Sequence, residues 1–462
     1  MALTLDNIAI QATASIQQAL QQLNTNQAGI VFVVAESGKV EGCLTDGDIR
    51  RQLLKDGNFS VAVGSFMNRN FVCATPVTPR EQILKLLDHR VRVVPLLDEA
   101  GRLVRLCTRE DFQLQDETEV FARARVPARI SFGGGGTDLT HYFIDQGGVV
   151  ISATIAKYAH ASLRRRTDGR IRIYSHDLRK VVEADSLSDL GTDGDLNLIR
   201  SVVQLIKPSF GFDLEVACDF PVGSGLGGSA AVSVAVIGCF GQFRIDPWDR
   251  HQIAEMAFQA ERFLLNIPGG WQDQYAAVFG GINYMEFDAT ENVIMSLRLD
   301  ERILRELEAC LVLCHTGKGH DSGRIHADQK KNMKASVSAE AAALRQKSIT
   351  EEMRRRLLRG DVYGYGELLH QAWLAKRELS PLISDSQIDT IYEHGRSNGA
   401  LGGKILGAGG GGYILFFVPP FERYGLCSAM ETHGLHTERV MFDETGLKAW
   451  TMRVPPVPPA RD

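Results

Sequence analysis

Apolar and polar positions along the chain follow two spacings, one helical and one alternating, and the change-over points mark its elements. Residues 15–23 carry apolar side chains at helical spacing, and 30–35 is a short apolar run that reads as a buried strand. Glu36-Ser37-Gly38-Lys39 is a turn, 40–44 a second strand, and 45–51 the opening of a helix with Thr45 at its N-cap. The same order then returns. Residues 79–89 are helical, 91–97 a strand, Asp98-Glu99-Ala100-Gly101 a turn, 103–107 a strand and 108–112 the start of a helix. Helix, strand, turn, strand and T-x-x-D thus repeat at a period of roughly 60 residues, which outranks any single local assignment. Asp116-Glu117-Thr118-Glu119 is a short acidic segment that reads as a boundary.

Beyond it the pattern is longer-ranged. Residues 120–132 alternate as a strand and run into four glycines and Thr137-Asp138. Residues 147–158 read as turn and strand, and 212–218 as an alternating strand. Residues 230–243 are small and apolar throughout, as in a buried helix, and 257–261 are helical in pattern. A strand over 309–314 precedes helical patterns at 325–359, 362–378 and 386–398, and 402–417 reads as strand, glycine turn and strand. Cys310 and Cys314 fall on that strand or its end. The proline-rich end, 455–462, is expected to be disordered. The mixture is an α/β (α+β) chain.

Composition narrows the classes. The 462 residues carry 44% apolar and 23% charged side chains, as in globular proteins, and allow two to four domains. A net charge of -5 offers no global attraction to nucleic acid or to acidic membranes. No apolar run is long enough to span a bilayer, and the first residues have no basic n-region or apolar h-region. Eight scattered cysteines without a C-x-x-C pair fit reduced thiols. A cytoplasmic protein with no nucleic-acid or membrane partner is expected.

The most informative chemistry lies between the strand at 212–218 and the helix at 230–243. Pro221-Val222-Gly223-Ser224-Gly225-Leu226-Gly227-Gly228-Ser229-Ala230 is a glycine-rich turn opening a helix. Such a turn aims several backbone N–H groups, and the positive end of the helix dipole, at one point, which suits phosphate. It is not a G-x-x-x-x-G-K-[ST] loop, since Gly228 stands where the Lys is needed. Gly223, Gly225 and Gly228 satisfy a bare G-x-G-x-x-G spacing, but no repeating βαβ pattern surrounds them. Taken alone, the loop is either a nucleotide cradle or a tight turn before a core helix. Glu261 is a single carboxylate among apolar neighbours, so its burial calls for a cationic partner.

Three motifs in order resemble those of the GHMP kinases. The first is Pro127-Ala128-Arg129, the glycines and Thr137-Asp138. The second is the 221–231 loop, with Gly228 in place of the usual first Ser and Ser229 retained. The third is Lys404-Ile405-Leu406-Gly407-Ala408-Gly409-Gly410-Gly411-Gly412. That resemblance implies a two-lobed kinase fold over 119–300 and 301–462, with ATP phosphates on Pro221, Gly223, Ser224, Gly225, Leu226, Gly227, Gly228, Ser229 and Ala230. It implies Mg²⁺ on Ser229 and Glu261, and a sugar held by Gly134, Gly135, Gly136, Thr137 and Asp138, with Gly410 nearby. Asp273, in Gly269-Gly270-Trp271-Gln272-Asp273-Gln274, would be the catalytic carboxylate, and Arg129 its partner near the transferring phosphate. The loop at 315–324 suggests Lys318 and Arg324 as further phosphate contacts. The basic run 163–166 is either a solvated strand end or a sugar-phosphate contact.

Gly135-Gly136, where galactokinases have Glu-His, argues against galactose. It is similar to the glycine-rich form in bacterial heptose kinases and in the kinase half of fucose-salvage enzymes. The substrate this implies is D-glycero-D-manno-heptose 7-phosphate, phosphorylated at its anomeric hydroxyl for GDP-heptose and surface polysaccharide. Another sugar 1-kinase (fucose- or mannose-like), or a catalytically silent sugar and nucleotide sensor, remains the alternative. Residues 1–118 resemble a tandem pair of CBS domains, through Gly42-Cys43-Leu44-Thr45-Asp46-Gly47-Asp48 and, in part, Arg105 to Asp111. In such pairs Thr45, Asp48, Thr108 and Asp111 would hold an adenine nucleotide, and the pair can form a homodimer. The bland reading is that the threonines only cap helices.

Overall fold

The computed structural model describes residues 5–87, 91–108, 120–319 and 322–453. Contacts divide the chain into two compact units, Met1–Thr118 and Glu119–Asp462. The first unit repeats a hairpin. Ile30–Val34 pairs antiparallel with Val40–Thr45, and Val93–Leu97 with Leu103–Thr108. Each pairing slips at the same place, Val33/Val34 and Leu96/Leu97, just before the turn. Val31, Val33, Leu44 and Ile49 form one small core with Ile16 and Leu23 from the helix Ile16–Asn26.

The helix Asp46–Asp56 begins with a capping box. The Thr45 hydroxyl accepts from the Asp48 N–H, and the Thr45 N–H donates to Asp48 Oδ2 at 2.9 Å. Asp48 also pairs with Arg51. Thr45 and Asp48, two of the four residues expected to hold a nucleotide, are therefore employed by the helix start itself, at a contribution of about 1 kcal/mol. Asp111, the acidic segment 116–119, His320 and the tail at 455–462 lie outside the described residues.

The second unit is built on two antiparallel-rich sheets. The larger has eight strands, and its backbone is the 19-residue strand Gly148–Arg166. This strand pairs with Val120–Gly133 along most of its length, with Ile282–Phe287 near its start and with Gly211–Cys218 near its end. The smaller sheet runs Gly402–Ile405, Tyr413–Phe417, Leu311–His315, Thr437–Arg439. The chain then returns, because Lys448–Arg453 pairs with Val120–Gly133. Residues 448–453 thus join the first sheet rather than the lobe expected over 301–462, and they cover an edge that would otherwise be open.

The helix Gly228–Gly241 has ten buried residues and almost no polar face. Its small side chains let it lie against the strands Val120–Gly133 and Gly148–Arg166. It starts two residues before the sequence pattern suggests, since Gly227 takes the left-handed conformation (φ 73°) and turns the chain into the helix.

Three other expectations shift. The helical stretch 325–359 is two helices, Ser322–Ala335 and Val337–Arg359, because Ser336 is extended and its hydroxyl caps the Ala339 N–H. Cys310 ends the helix Glu301–Cys310 rather than sitting on the strand, which begins at Leu311. The helix through 257–261 is α-helical only to Gln259, then widens into a π turn at Ala260–Leu264. Among the described residues, no helix is long and apolar enough to cross a membrane.

Candidate functional site

A cavity of about 630 Å³ lies in the second unit, the size usual for a small-molecule site. Four pieces of chain meet at its wall: the turn after Gly211–Cys218, the end of Val120–Gly133, the π turn, and the entry to the helix Gln272–Phe279.

The turn is held open by its glycines. Gly223, Gly225 and Gly227 all have φ between 72° and 78°, a region that β-carbons disfavour. Gly225 has a second reason. A Cβ there would sit 2.7 Å from the Leu406 carbonyl oxygen, so the loop packs directly on the third glycine motif. The Tyr413 N–H donates to the Ser224 carbonyl at 3.0 Å and tightens the same contact. Gly223, Ser224, Gly225, Gly227, Gly228 and Ser229 reach the cavity, with Pro221 at its rim. Leu226 and Ala230 are fully buried and support the loop from behind.

Arg129 and Asp273 are 144 residues apart in sequence and form a two-pronged pair. Arg129 Nε donates to Asp273 Oδ1 at 2.7 Å, and Nη2 to Oδ2 at 2.8 Å. Nη1 donates to the Gly225 carbonyl, and the Arg129 N–H to that of Leu226 at 2.9 Å. The guanidinium therefore joins the glycine loop to the carboxylate. Burial works to raise the Asp273 pKa, but the charge and hydrogen bonds of Arg129 outweigh it and hold the carboxyl below its ordinary value.

Asp138 is 2% exposed. Its Oδ1 accepts from the Gly136 N–H at 3.0 Å, and its Oδ2 from Gln272 Nε2 at 3.0 Å. Gln272 Oε1, buried in the wall, has no hydrogen-bond partner among the described residues. A buried carboxylate beside an unpaired amide oxygen suits ligand hydroxyls, which can donate to both. Gly270 is needed for this contact, because a Cβ on it would lie 1.9 Å from Asp138 Oδ2. If Asp138 holds the sugar that the motifs imply, Gly270→Ala should displace it and reduce kcat/KM for that sugar by about 10²-fold while leaving KM for ATP unchanged. Steady-state kinetics with each substrate varied in turn checks this.

Glu261 is 4% exposed and enters the wall from the π turn, a distortion that often accompanies functional sites. Its Oε2 accepts from Gln274 Nε2 at 2.8 Å and lies 3.6 Å from Arg262, a cationic partner of the kind its burial requires. One hydroxyl (Ser229) and one carboxylate (Glu261) on a shared wall fit the sparse protein share of a Mg²⁺ site, where phosphate and water oxygens complete the shell.

Several expected residues lie off the wall. Gly134 and Thr137 are not in it; the Thr137 hydroxyl instead bonds the carbonyls of Gly134 and Val149 at 2.8 and 2.9 Å. Lys318 pairs with Asp385, so its ammonium is turned to the smaller sheet's helices. Gly410 donates its N–H to Ile383, and Arg324 stands on the exposed side of the helix Ser322–Ala335. These residues shape or flank the site without facing it. In the basic run, Arg164 and Arg166 pair with Asp213, and Arg166 also with Asp168, as a strand end would.

The cavity also shows residues that sequence reading missed: Arg262, Gln272, His326, Gln329 and Lys376. It is also lined by Leu178, Leu196, Val216 and Val232 with Asp177 and Asn197. Leu196 holds a left-handed φ of 55° there, a strained conformation typical of ligand-binding walls.

Residues 197–281 match the GHMP kinases N terminal domain, residues 353–434 the GHMP kinases C terminal region, and residues 3–55 and 63–113 the CBS domain. A D-glycero-alpha-D-manno-heptose 7-phosphate kinase from Campylobacter jejuni is 37% identical over 335 residues, covering 71% of this chain and 98% of the relative. An L-fucokinase/L-fucose-1-P guanylyltransferase from Bacteroides fragilis is 28% identical over 326 residues, 63% of this chain and 34% of the relative. The crystal structure of a D-glycero-D-manno-heptose 1-phosphate kinase from Bacteroides thetaiotaomicron superposes with a TM-score of 0.61 at 27% identity, covering 72% of this chain and all of that one.

Proposed function

The chain belongs to the GHMP kinases and is an ATP-dependent sugar kinase, and from that premise we propose that it phosphorylates the anomeric hydroxyl of D-glycero-D-manno-heptose 7-phosphate. The observation that carries the reading is the placement of the Arg129–Asp273 pair, between a glycine loop that suits phosphate and the hydroxyl-seeking wall of Asp138 and Gln272.

In this reading the backbone N–H groups of 223–229 and the start of the helix Gly228–Gly241 hold the ATP phosphates. The apolar end around Leu178, Leu196 and Val216 takes the adenine. Asp138 and Gln272 orient the sugar. Asp273 is ionised at neutral pH, so it accepts the hydroxyl proton as the bond to phosphorus forms. A carboxylate this acidic is a weak base, and alignment contributes more than proton abstraction. Arg129 fixes the carboxylate and adds positive charge near the transferring group. GHMP kinases use ATP with a divalent metal; here Ser229 and Glu261 would hold Mg²⁺, which when bound neutralises phosphate charge. A cytoplasmic location and a CBS-mediated homodimer belong to the same proposal. So does adenine-nucleotide regulation through the first unit, which AMP titration of the assay reads.

The test is coupled ATP consumption by the full chain with Mg²⁺, across heptose 7-phosphate, mannose, fucose, galactose and mannose 6-phosphate. Turnover on the heptose phosphate is expected. Turnover only on a free sugar would keep the kinase and sink the heptose assignment.

A further inference from the structure

The cavity wall contains a cation that the roles above do not use. Lys376 is 3% exposed and sits next to the end of the helix Val362–Arg377. Its ammonium donates to the carbonyls of Gly407 and, at 3.4 Å, Ile405. Among the described residues it forms no ion pair with a carboxylate. An ammonium has three N–H donors, and only two are used here. Lys404, 1% exposed, is likewise held by an oxygen of Ser131, its backbone carbonyl, at 2.9 Å. Arg129 is already matched by Asp273. Among the described residues neither buried lysine has a carboxylate in direct contact, and burial pushes both pKa values down, so an arriving anion would favour their charged forms.

The position of Lys376 points to which anion. Its acceptor Gly407 packs against Gly225, so closely that a Cβ on Gly407 would lie 2.8 Å from the Gly225 Cα. Gly225 in turn accepts from Arg129. Lys376 therefore stands where the phosphate-suited loop meets the Arg129–Asp273 pair.

We propose that Lys376 is a further catalytic residue, whose free N–H contacts the phosphoryl group in transit from ATP to the sugar. This rests on the kinase reading above. In the step concerned, the anomeric oxygen forms a bond to the γ-phosphorus. The bond from that phosphorus to the β,γ-bridging oxygen breaks, with its electron pair leaving on ADP. The hydroxyl proton passes to Asp273 and then to solvent. Lys376 contributes charge and a hydrogen bond and exchanges no atom.

The electrostatics agree. Burial lowers the Lys376 pKa to about 7, with Arg129 pushing further down and Asp138 and Asp273 pulling up; Lys404 is the other buried cation facing it. A bound γ-phosphate adds negative charge and favours the protonated ammonium. Affinity for a γ-phosphate should therefore weaken as pH rises through that range.

Calorimetric binding of Mg²⁺·AMPPNP and Mg²⁺·ADP to the full chain tests this without the sugar. Wild type is expected to prefer AMPPNP, and Lys376→Met to lose about tenfold of that preference, the worth of one charge-assisted hydrogen bond. With sugar present, kcat should fall about 10²-fold in Lys376→Met and recover in part in Lys376→Arg. An unchanged AMPPNP/ADP ratio with kcat within about threefold of wild type would overturn the proposal. If Lys376→Met fails to bind Mg²⁺·ADP or to fold, the pH dependence of the wild-type ratio decides, and a flat profile across the range around 7 overturns it. Intact AMPPNP preference without turnover of heptose 7-phosphate would sink the sugar assignment and leave Lys376 in its role.

Discussion

Asp273→Asn is expected to lower kcat by about 10³-fold while the affinity for Mg²⁺·ATP stays within a few-fold of wild type. The amide keeps the shape of the carboxylate and can still accept from Arg129 through one oxygen. It cannot accept the proton of the attacking hydroxyl, and it leaves the Arg129 charge unmatched. The nucleotide loop is untouched, since Asp273 bonds Arg129 and not residues 223–229. Rapid-quench kinetics on wild type and variant, with nucleotide affinity measured separately, checks the split. A loss shared between kcat and nucleotide binding would mean that Asp273 acts through the loop. The pH profile gives a second handle. Arg129 holds the Asp273 carboxyl below its ordinary value, so the wild-type rate should show no loss from this group between neutrality and the usual carboxylate pKa of about 3.9.

Arg129→Met should be as damaging to stability as to rate. Arg129 is 4% exposed, and its removal deletes both bonds to Asp273 and the one to Gly225. It leaves a partly buried carboxylate with no cation in contact. Removing one member of a buried pair costs about 3–5 kcal/mol, and the lower figure applies because the Asp273 side chain is 22% exposed. A drop in kcat of at least about 10²-fold accompanies it. The double variant Arg129→Met, Asp273→Asn should regain much of the lost stability and none of the activity, since no unpaired charge remains. Urea melts of the four proteins complete the cycle; independent losses that simply add would refute the pairing argument. The pH dependence has a definite sign. The folded-state pKa of Asp273 is depressed, so the stabilisation is complete above the unfolded carboxylate value and is lost as pH falls through the lower folded one. Wild type and Arg129→Met should therefore converge in stability at acid pH.

Two parts of the site and one feature of the first unit were legible as local patterns, each for a physical reason. A strand, alternate glycines and an apolar helix write a backbone cradle into consecutive residues, because the N–H groups that hold an anion are themselves consecutive. Asp138 and Asp273 stand beside glycines that let chain approach chain, as at Gly270. The hairpin repeat of the first unit was visible because its period survives, down to the slipped pairing before each turn.

Lys376 shows why the rest was not read. It lies four residues after Ala372 and three after Trp373, on the buried stripe of its helix, and that spacing was the available signal. A lysine near a helix C-terminus nevertheless has an ordinary explanation as a favourable charge at the dipole's end. Only the packing of that helix against the strand Gly402–Ile405 buries the ammonium and turns it to Gly407. Lys318 errs in the opposite direction. A lysine in a polar loop between glycines suggests a phosphate contact, but Asp385, 67 residues away, takes its charge.

Residue order by itself determined the repeat of the first unit, the phosphate-suited loop and the identity of the carboxylates, since each depends on spacing within a few residues. Which cation meets which anion was decided by the tertiary structure alone. Arg129 and Asp273, or Lys376 and Gly407, are neighbours only because strands and helices far apart in the chain pack into one wall. Charge pairing acts over a few ångströms of space, and sequence distance carries almost no information about it.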